Sequence, residues 1–310
     1  MTWRGGIVFV VVLLGLGLIT SDVVSGPPDP EGWIYGDTSV SGLSPEEKRK
    51  LLGVLEGGQP PKAARLYADY SYPSSLDWRD RYGGDFTTPI KDQGQCGSCV
   101  AFAVVASIES RLEVRLNAPN LTPDLSEAHP FFCGCGNCCG LGWWNDLALD
   151  YIVEHGVSDE ACFPYQIGDP PCSLCPDWQE RTVNLTHWVG VEGYDEMKQA
   201  IADGGPISVV MEVRADFFGY VSGVYCPGPA PWLLGLHAVE IVGYDDEEGY
   251  WIVKNSWGTG WGEDGWFRIG YYFQGDPDEA HCGIRPHGYV PFVDLGLDNK
   301  IYLPLLMKGE

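Results

Sequence analysis

The chain has 310 residues, enough for one or two domains with a stable core. Apolar residues make up 45% of it, aromatic residues 13% and charged residues 20%, which excludes a disordered or collagen-like protein. With 19 basic against 43 acidic residues the net charge is −24, so we expect no binding to nucleic acid or anionic lipid. Nearly all of this acidity lies in residues 75–310, where it serves solubility first; attraction of basic substrates is the alternative.

The first 25 residues have the pattern of a secretory signal peptide. Arg4 supplies the positive start, and the apolar stretch from Ile7 to Ile19 that follows is short for a bilayer span. Val23 and Ser25 are small enough for a cleavage site near Ser25. An uncleaved anchor is the alternative. A signal peptide predicts secretion, no stable membrane association after its cleavage, and an oxidising compartment in which disulfides persist.

Residues 26–74 are predicted to be a linker or a segment that packs on the next domain. This stretch is rich in Pro and Gly and carries too few large apolar side chains to fold alone. One helix is predicted after Ser44, which suits the N-cap position, with Pro45 at the first helical position and Glu47 completing a capping box. We therefore expect the segment to pack on the domain that follows.

Residues 75–290 predict an α+β domain with two lobes, because a helical first half precedes a strand-rich second half. A helix over 98–117 is apolar all round in its first half, which indicates burial. A second helix covers about 145–154. Residues 291–310 form a short C-terminal appendage, either a last strand or a free tail. The predicted strands are 206–213, 237–244, 250–255 and 265–271, with a hairpin loop at 245–249 between two of them.

Cys99 is the first candidate for chemistry, because it stands at the start of the buried helix. The unpaired N–H groups and the positive dipole end of a helix favour a thiolate there. A thiolate is a strong nucleophile that still needs a base or an imidazolium partner. Gln93 precedes it on a Gly-containing loop, from which a side-chain amide can face the same point.

The run around this cysteine resembles the papain family of cysteine peptidases, and the resemblance extends over about residues 75–290. It implies a papain-like two-lobe fold, with a helical first lobe that holds a central helix, a β-barrel-like second lobe, and an active-site cleft between them. The motifs that carry it are Ser75–Arg79, Pro89–Ala103, Leu125–Glu127, Phe163–Tyr165, His237–Val239 and Lys254–Trp266.

The resemblance also assigns roles to single residues. Cys99 resembles the family's nucleophile, and His237 the base that later protonates the leaving amine. Asn255 would hold the imidazole in a Cys-His-Asn triad. Trp257 would shield their hydrogen bond from water at the edge of the substrate site. Gln93 and the Cys99 backbone N–H would form the oxyanion hole. Together these residues imply hydrolysis of peptide bonds through a thioester intermediate.

The substrate groove follows from the same resemblance. Gly142 leaves room for backbone pairing with an extended peptide, although Leu141 departs from the glycine usual beside it. Trp143, Trp144 and Val210 would form an apolar pocket for the side chain two residues before the cut. No His-rich insert is present to block one end of the groove, which favours endopeptidase action on protein or peptide substrates. We expect a monomer.

Two further features follow from the family pattern. Val100 replaces the Trp or Tyr that usually follows the nucleophile, which should alter the groove floor without removing chemistry. In the family a pro-segment runs through the groove and keeps the zymogen silent. Residues 26–74 would be the pro-segment of this chain. It is short, and we expect residues of about 60–74 to be the inhibitory part.

Eleven cysteines suggest five disulfides and one free thiol. By resemblance, Cys96 pairs with Cys139 and Cys226 with Cys282. A zinc site is the alternative, built from the cysteine cluster at residues 133–139 and from Cys172-Ser-Leu-Cys175. Export favours oxidation, so we expect no metal and no cofactor. The six cysteines whose pairing stays open are Cys133, Cys135, Cys138, Cys162, Cys172 and Cys175.

Two other functions compete with a peptidase. One is a catalytically inactive protease homologue that acts as a binding protein. The other is a thiol–disulfide oxidoreductase that uses Cys96 and Cys99. The second leaves the distant His237 and Asn255 motifs unexplained.

Overall fold

The computed structural model describes residues 32–55, 67, 69–227, 232–272 and 281–296. The expected signal peptide (1–25) and residues 297–310 of the expected appendage lie outside these ranges. In the described part of the chain, no helix is both long and apolar enough to cross a bilayer.

Helices frame the first half of the domain, as expected. The long buried helix begins at Cys99 itself and packs against strands of the second half. Tyr194–Gly204 was not predicted as a helix, because glycines flank it and it has no side-chain cap. The α-helices of the described residues are α1 (Pro45–Lys50), α2 (Cys99–Leu116), α3 (Asn145–His155) and α4 (Tyr194–Gly204).

Ten strands form one connected sheet in the described chain, ordered β1-β6-β9-β8-β7-β5-β10-β4-β3 with β2 paired to β7. All pairs are antiparallel except β6 with β9. The expected hairpin loop at 245–249 joins β7 to β8. The strands are β1 (Trp33–Tyr35), β2 (Ser75–Asp77), β3 (Val157–Ser158), β4 (Thr182–Glu192), β5 (Ile207–Arg214), β6 (Tyr220–Tyr225), β7 (Leu233–Asp245), β8 (Tyr250–Lys254), β9 (Trp266–Gly270) and β10 (Ile284–Asp294).

The last strand includes the start of the expected C-terminal appendage. β10 pairs with β4 from His287 through Asp294. Residues 291–294 are therefore part of the sheet, where the sequence left a last strand and a free tail open.

Two cores define the two lobes. The core of the first lobe surrounds α2 and α3, while that of the second lobe lies within the sheet and against α4. The long helix faces β7 and β10, so the first lobe packs directly on the second. The second core is rich in aromatic rings, among them Phe217, Tyr220, Trp257, Trp261 and Phe267.

Residues 33–40, which we call the sheet-edge anchor, add a strand to the second lobe. β1 pairs with the edge strand β6, with Trp33 opposite Gly223. Trp33 is only 5% exposed, because its ring stacks on Tyr220 and meets Tyr225 edge-on at 5.0 Å. A Cβ at Gly223 would crowd the Trp33 backbone, so only glycine leaves room for this approach.

The helix that follows the anchor has the predicted cap. The Glu47 N–H donates to Ser44 Oγ, and the Ser44 N–H donates to the Glu47 carboxylate at 2.8 Å. Pro45 occupies the first turn. This confirmed capping box leads the chain from the second lobe into the cleft between the lobes.

Candidate active site

Cys99 is the first residue of α2 and is fully buried. It is the free cysteine among the described residues. The disulfide from Cys96 to Cys139 fixes the loop before it to the first lobe. Ser98 lies between Cys96 and Cys99, and its hydroxyl hydrogen-bonds the Tyr165 hydroxyl at 2.7 Å. The disulfide and this hydrogen bond thus fix the turn that precedes the Cys99 sulfur.

His237 lies on β7, and Asn255 directly follows the adjacent strand β8. His237 Nε2 lies 2.8 Å from Asn255 Oδ1. The same oxygen accepts the Ser256 N–H at 2.8 Å, which identifies it as the amide oxygen. Because Nε2 must therefore donate, the neutral ring has a bare Nδ1 that is available to accept a proton.

Trp257 covers this hydrogen bond. Its ring centroid lies 4.9 Å from that of His237, and its opposite neighbour is Phe218, stacked at 4.9 Å. Trp257 is 1% exposed. This position fits the shielding role that the resemblance implied, and that role stays a prediction.

Gln93 is buried and held at both ends of its amide. Nε2 donates to the backbone carbonyls of Cys96 at 2.8 Å and Leu51 at 3.2 Å. Oε1 accepts from Ser256 Oγ at 2.7 Å. Ser256 was not predicted as a site residue, although it stands between two residues that were. Its hydroxyl fixes which end of the amide faces the cleft.

Residues 51–55, which we call the cleft segment, run between the lobes and contact these groups. The Gly53 N–H donates to Cys99 Sγ at 3.2 Å. Trp143 N–H donates to the Gly53 carbonyl at 2.7 Å, and Leu55 N–H donates to the Trp143 carbonyl at 3.0 Å. On the other side, Val54 N–H donates to the Leu236 carbonyl. The segment thus pairs by its backbone with both walls.

Two glycines permit this close approach. A Cβ at Gly53 would overlap the Gly97 carbonyl, and a Cβ at Gly142 would overlap the Gly53 carbonyl. Gly142 therefore leaves room for a peptide as expected, but the pairing groups belong to Trp143. The expected role of the Trp143 indole needs correction, because the ring is 4% exposed and faces Phe131 in the first core.

The other predicted pocket residues belong to the first lobe's core or pack against it. Val210 is buried on β5 in that core, and Trp144 packs against it from the start of α3. Val54 of the cleft segment packs against the same core.

The predicted inhibitory residues, about 60–74, lie partly outside the described ranges, which omit 56–66 and 68, so their role stays a prediction. Within the described part, Ser71 N–H donates to Gln199 Oε1 and Tyr72 OH donates to Asp195, both on α4. The described contacts with Cys99 and Gln93 come from residues 51–55, directly after α1.

Burial decides the charge of the two reactive groups in this covered state. It raises the pKa of Cys99 to about 11, against the opposing effect of nearby backbone N–H groups, including those of Ala238 and Gly53. It lowers the pKa of His237 to about 4, although Asn255 and the Leu51 backbone favour the charged ring. The thiol and imidazole are thus neutral near pH 7, and burial outweighs the helix dipole that predicted a thiolate.

The other ten cysteines form five disulfides. The expected pairs Cys96–Cys139 and Cys226–Cys282 are both present. The zinc alternative loses its thiolate ligands to these bonds, and the oxidoreductase alternative loses its Cys96–Cys99 couple. Within the described ranges, no group of three His, Cys, Asp or Glu side chains could hold a metal ion. The remaining pairs are Cys133–Cys172, Cys135–Cys138 and Cys162–Cys175.

Known proteins are similar to this chain in sequence and in fold. A sequence model of the papain family of cysteine proteases matches residues 72–292. Cathepsin S of Mus musculus is 32% identical over 275 residues, which cover 83% of this chain and 75% of that protein. Pro-cathepsin H of Bos taurus is 36% identical over 233 residues, covering 72% and 68%.

The solved structures agree. Digestive procathepsin L2 proteinase from Tenebrio molitor larval midgut superposes with a TM-score of 0.71 at 32% identity, covering 84% of each chain. The expected papain-like α+β fold is thereby confirmed, and the procathepsin neighbours make the chain zymogen-like. Protein substrates follow from the family. The chain belongs to the papain family of cysteine proteases and is a cysteine-type peptidase.

Proposed function

We propose that this chain is the precursor of a secreted endopeptidase whose nucleophile is Cys99, with His237 as its base and Asn255 as the group that orients the base. Gln93 and the Cys99 N–H form the oxyanion hole. The observation that carries the proposal is that Cys99 and Gln93 both contact one short peptide: its Gly53 N–H meets the sulfur, and its Leu51 carbonyl meets the Gln93 amide.

The reaction begins once the cleft segment leaves, because solvent then stabilises the Cys99 thiolate and the His237 imidazolium. The Cys99 thiolate adds to the substrate carbonyl, and the oxyanion accepts hydrogen bonds from Gln93 Nε2 and the Cys99 N–H. His237 gives its Nδ1 proton to the leaving amine, which departs and leaves a thioester. Water then loses a proton to His237 and adds to the thioester carbonyl. Collapse releases the acid and the thiolate.

The cleft segment accounts for a silent precursor. It pairs parallel to Trp143 and antiparallel to Leu236, and it presents an N–H rather than a carbonyl to the sulfur. It also buries both reactive groups in their neutral forms. We assign residues 1–25 to the signal peptide, 26–74 to the pro-segment, 75–290 to the peptidase with its last strand ending at Asp294, and the remainder of 291–310 to the appendage.

The groove favours an apolar side chain two residues before the cut. Val54 packs against the core that includes Val210, and backbone groups of Trp143 and Leu236 flank it. These groups hold an extended peptide without regard to its side chains, which suits cleavage within chains. We propose a monomer that has no stable membrane association after the signal peptide is removed.

The test is cleavage of a panel of fluorogenic dipeptides by the processed protein in the presence of a reductant. Cys99→Ala and an epoxide that traps thiols should each abolish turnover, whereas Ser107→Ala, a buried control on the same helix, should retain it. Turnover that survives Cys99→Ala would refute the assignment. A folded, processed protein without turnover whose Cys99 resists the epoxide would favour the inactive homologue.

A further inference from the structure

A small, partly open cavity lies behind the proposed triad, between α2 and strands β7 and β8. Its volume of about 20 Å³ exceeds the about 10–15 Å³ that one water needs. Apolar groups of α2 and β7 form part of its wall. The polar side chains on its wall include Lys91, Glu109, Glu127, Glu240, Lys254 and Asn255.

Most of these charges satisfy one another. Lys91 Nζ lies 2.8 Å from Glu127 and 3.2 Å from Glu109. Glu109 also accepts from Thr88 Oγ1 at 2.6 Å, and that hydroxyl accepts from Lys254 Nζ at 2.7 Å. Lys91 also lies 2.9 Å from Asp124, outside the cavity wall. The two ammonium groups therefore have three carboxylates and a hydroxyl as close partners, which leaves one cavity carboxyl to be explained.

Glu240 is that carboxyl. It is 1% exposed, and neither of its oxygens makes a hydrogen bond of good geometry within the described chain, although the Ser110 hydroxyl on α2 lies close enough to favour its charged form. Lys254 Nζ approaches only to 3.8 Å. On the same cavity wall, Asn255 Nδ2 is buried and also lacks a partner among the described residues. Unpaired buried polar groups are costly, so an acceptor and a donor that share a polar cavity of this size point to a bridging water.

We propose that Glu240 is a positioning residue for the His237–Asn255 pair, acting through a water bound in this cavity. The carboxylate holds the water, the water accepts from Asn255 Nδ2, and the amide oxygen is thereby kept toward His237. The negative charge also favours the imidazolium form that protonates the leaving amine. This inference rests on the proposed function, because it assigns Glu240 a part in the same site.

The charge of Glu240 changes within the working range of such an enzyme. Burial raises its pKa to about 7; Lys254 on β8 and Ser110 on α2 oppose this rise, while Glu109 on α2 and Asp85 reinforce it. Glu240 is therefore neutral near pH 5 and charged near pH 8. A glutamine at this position keeps the shape and imitates the protonated form at every pH.

The experiment compares the processed wild-type enzyme with Glu240→Gln, following kcat/KM from about pH 5 to pH 9. The two should agree near pH 5. At pH 8 the variant should fall about threefold to tenfold below wild type, the size expected for one charge acting through a partly screened interior. Its alkaline limb should also shift to lower pH, because the imidazolium has lost a stabilising charge.

Glu113→Gln is the matched control. Glu113 is another buried carboxyl on α2, and its pKa is raised to about 8, but it is not part of the cavity wall. This variant should keep the wild-type profile. Glu240→Asp keeps the charge, so its kcat/KM at pH 8 should be closer to that of wild type than the value for Glu240→Gln. If the glutamine variant does not fold, Glu240→Met is the second neutral variant, with the same expected loss at pH 8.

Two outcomes would overturn the inference: an unchanged profile in Glu240→Gln, or a loss of equal size at every pH, which is what a purely structural role gives. Both leave wild-type turnover and its dependence on Cys99 intact. The inference can therefore fail while the proposed function stands. Failure of the proposed function would instead appear as a wild-type enzyme without turnover.

Discussion

The sheet-edge anchor and the cleft segment belong to one short stretch of chain, yet they bind the peptidase by opposite means. The anchor buries a side chain: Trp33 inserts among Tyr220 and Tyr225. The cleft segment relies on backbone groups, with hydrogen bonds at Gly53 and Leu55. A groove that accepts many peptides can bind only the backbone groups that all peptides share. We therefore expect the anchor, through its buried Trp33 side chain, to provide selectivity for this stretch over other peptides.

The largest expected effect comes from a methyl group in the cleft. Gly53→Ala places a Cβ against the Gly97 carbonyl, and backbone cannot move aside as a side chain can. The variant precursor should lose its inhibition and cleave fluorogenic peptides at least about tenfold faster than the wild-type precursor, since a clash costs more than about 1.4 kcal/mol. Gly42→Ala, where the added methyl meets open space, is the control and should stay silent.

Removing the anchor should have a smaller effect on activity. Trp33→Ala deletes a buried ring, which costs about 3 kcal/mol in typical cores. The cleft contacts remain possible, so the Trp33→Ala precursor should stay partly inhibited. Its turnover should lie between the turnover of the wild-type precursor and that of the Gly53→Ala precursor. Ile34→Ala, at a side chain 55% exposed, is the matched control. A Trp33→Ala precursor as silent as its control would show that the cleft segment needs no anchor.

Mild acid should change neither the cleft nor the anchor. The covered pair is a neutral Cys99 thiol with a pKa of about 11 and a neutral His237 imidazole with a pKa of about 4, whereas the open pair is a thiolate and an imidazolium. Each state therefore holds one proton on this pair as pH falls from about 6.5 toward 4, and closure should not depend on pH through it. Precursor turnover, divided by that of processed enzyme at each pH, should stay flat over this interval. A ratio that rises as pH falls would show that the open pair is neutral instead of ionised.

The smallest expected effect of a substitution concerns the helix between the two regions. Ser44→Ala removes the capping box of α1 and should destabilise that helix by about 1 kcal/mol. Hydrogen exchange of the first-turn amides should accelerate, with little change in inhibition. Glu46→Ala, which loses only an exposed pair with Lys50 at 3.9 Å, should exchange as the wild type does.

The features that the sequence predicted well are local or carried by long motifs. Helix α2 follows from its unbroken apolar run, and the capping box from Ser44 and Glu47. The two disulfides implied by resemblance are present. The candidates Cys99 and Gln93 both contact the cleft segment, and His237 is hydrogen-bonded to Asn255. Each of these depends on a pattern within one segment or on a motif matched as a whole.

The features that it missed depend on contacts between distant segments. Nothing local marks Gly53 as the residue that meets Cys99, 46 positions away in sequence. The Trp143 backbone, rather than its ring, forms the groove wall because the first core takes the indole. Glu240 was passed over inside an apolar strand pattern. A charged residue in such a pattern was a usable signal, since burial of a carboxyl needs a reason.

The most direct test of the account is the rate at which Cys99 is alkylated at pH 7, followed by mass spectrometry in precursor and processed protein. The cleft segment covers the thiol in the precursor, and burial there raises the pKa of Cys99 to about 11, so the precursor should react slowly. Processing should accelerate labelling at Cys99, and Gly53→Ala should accelerate it without processing. Equal rates in precursor and processed enzyme would contradict the claim that residues 51–55 keep the enzyme silent.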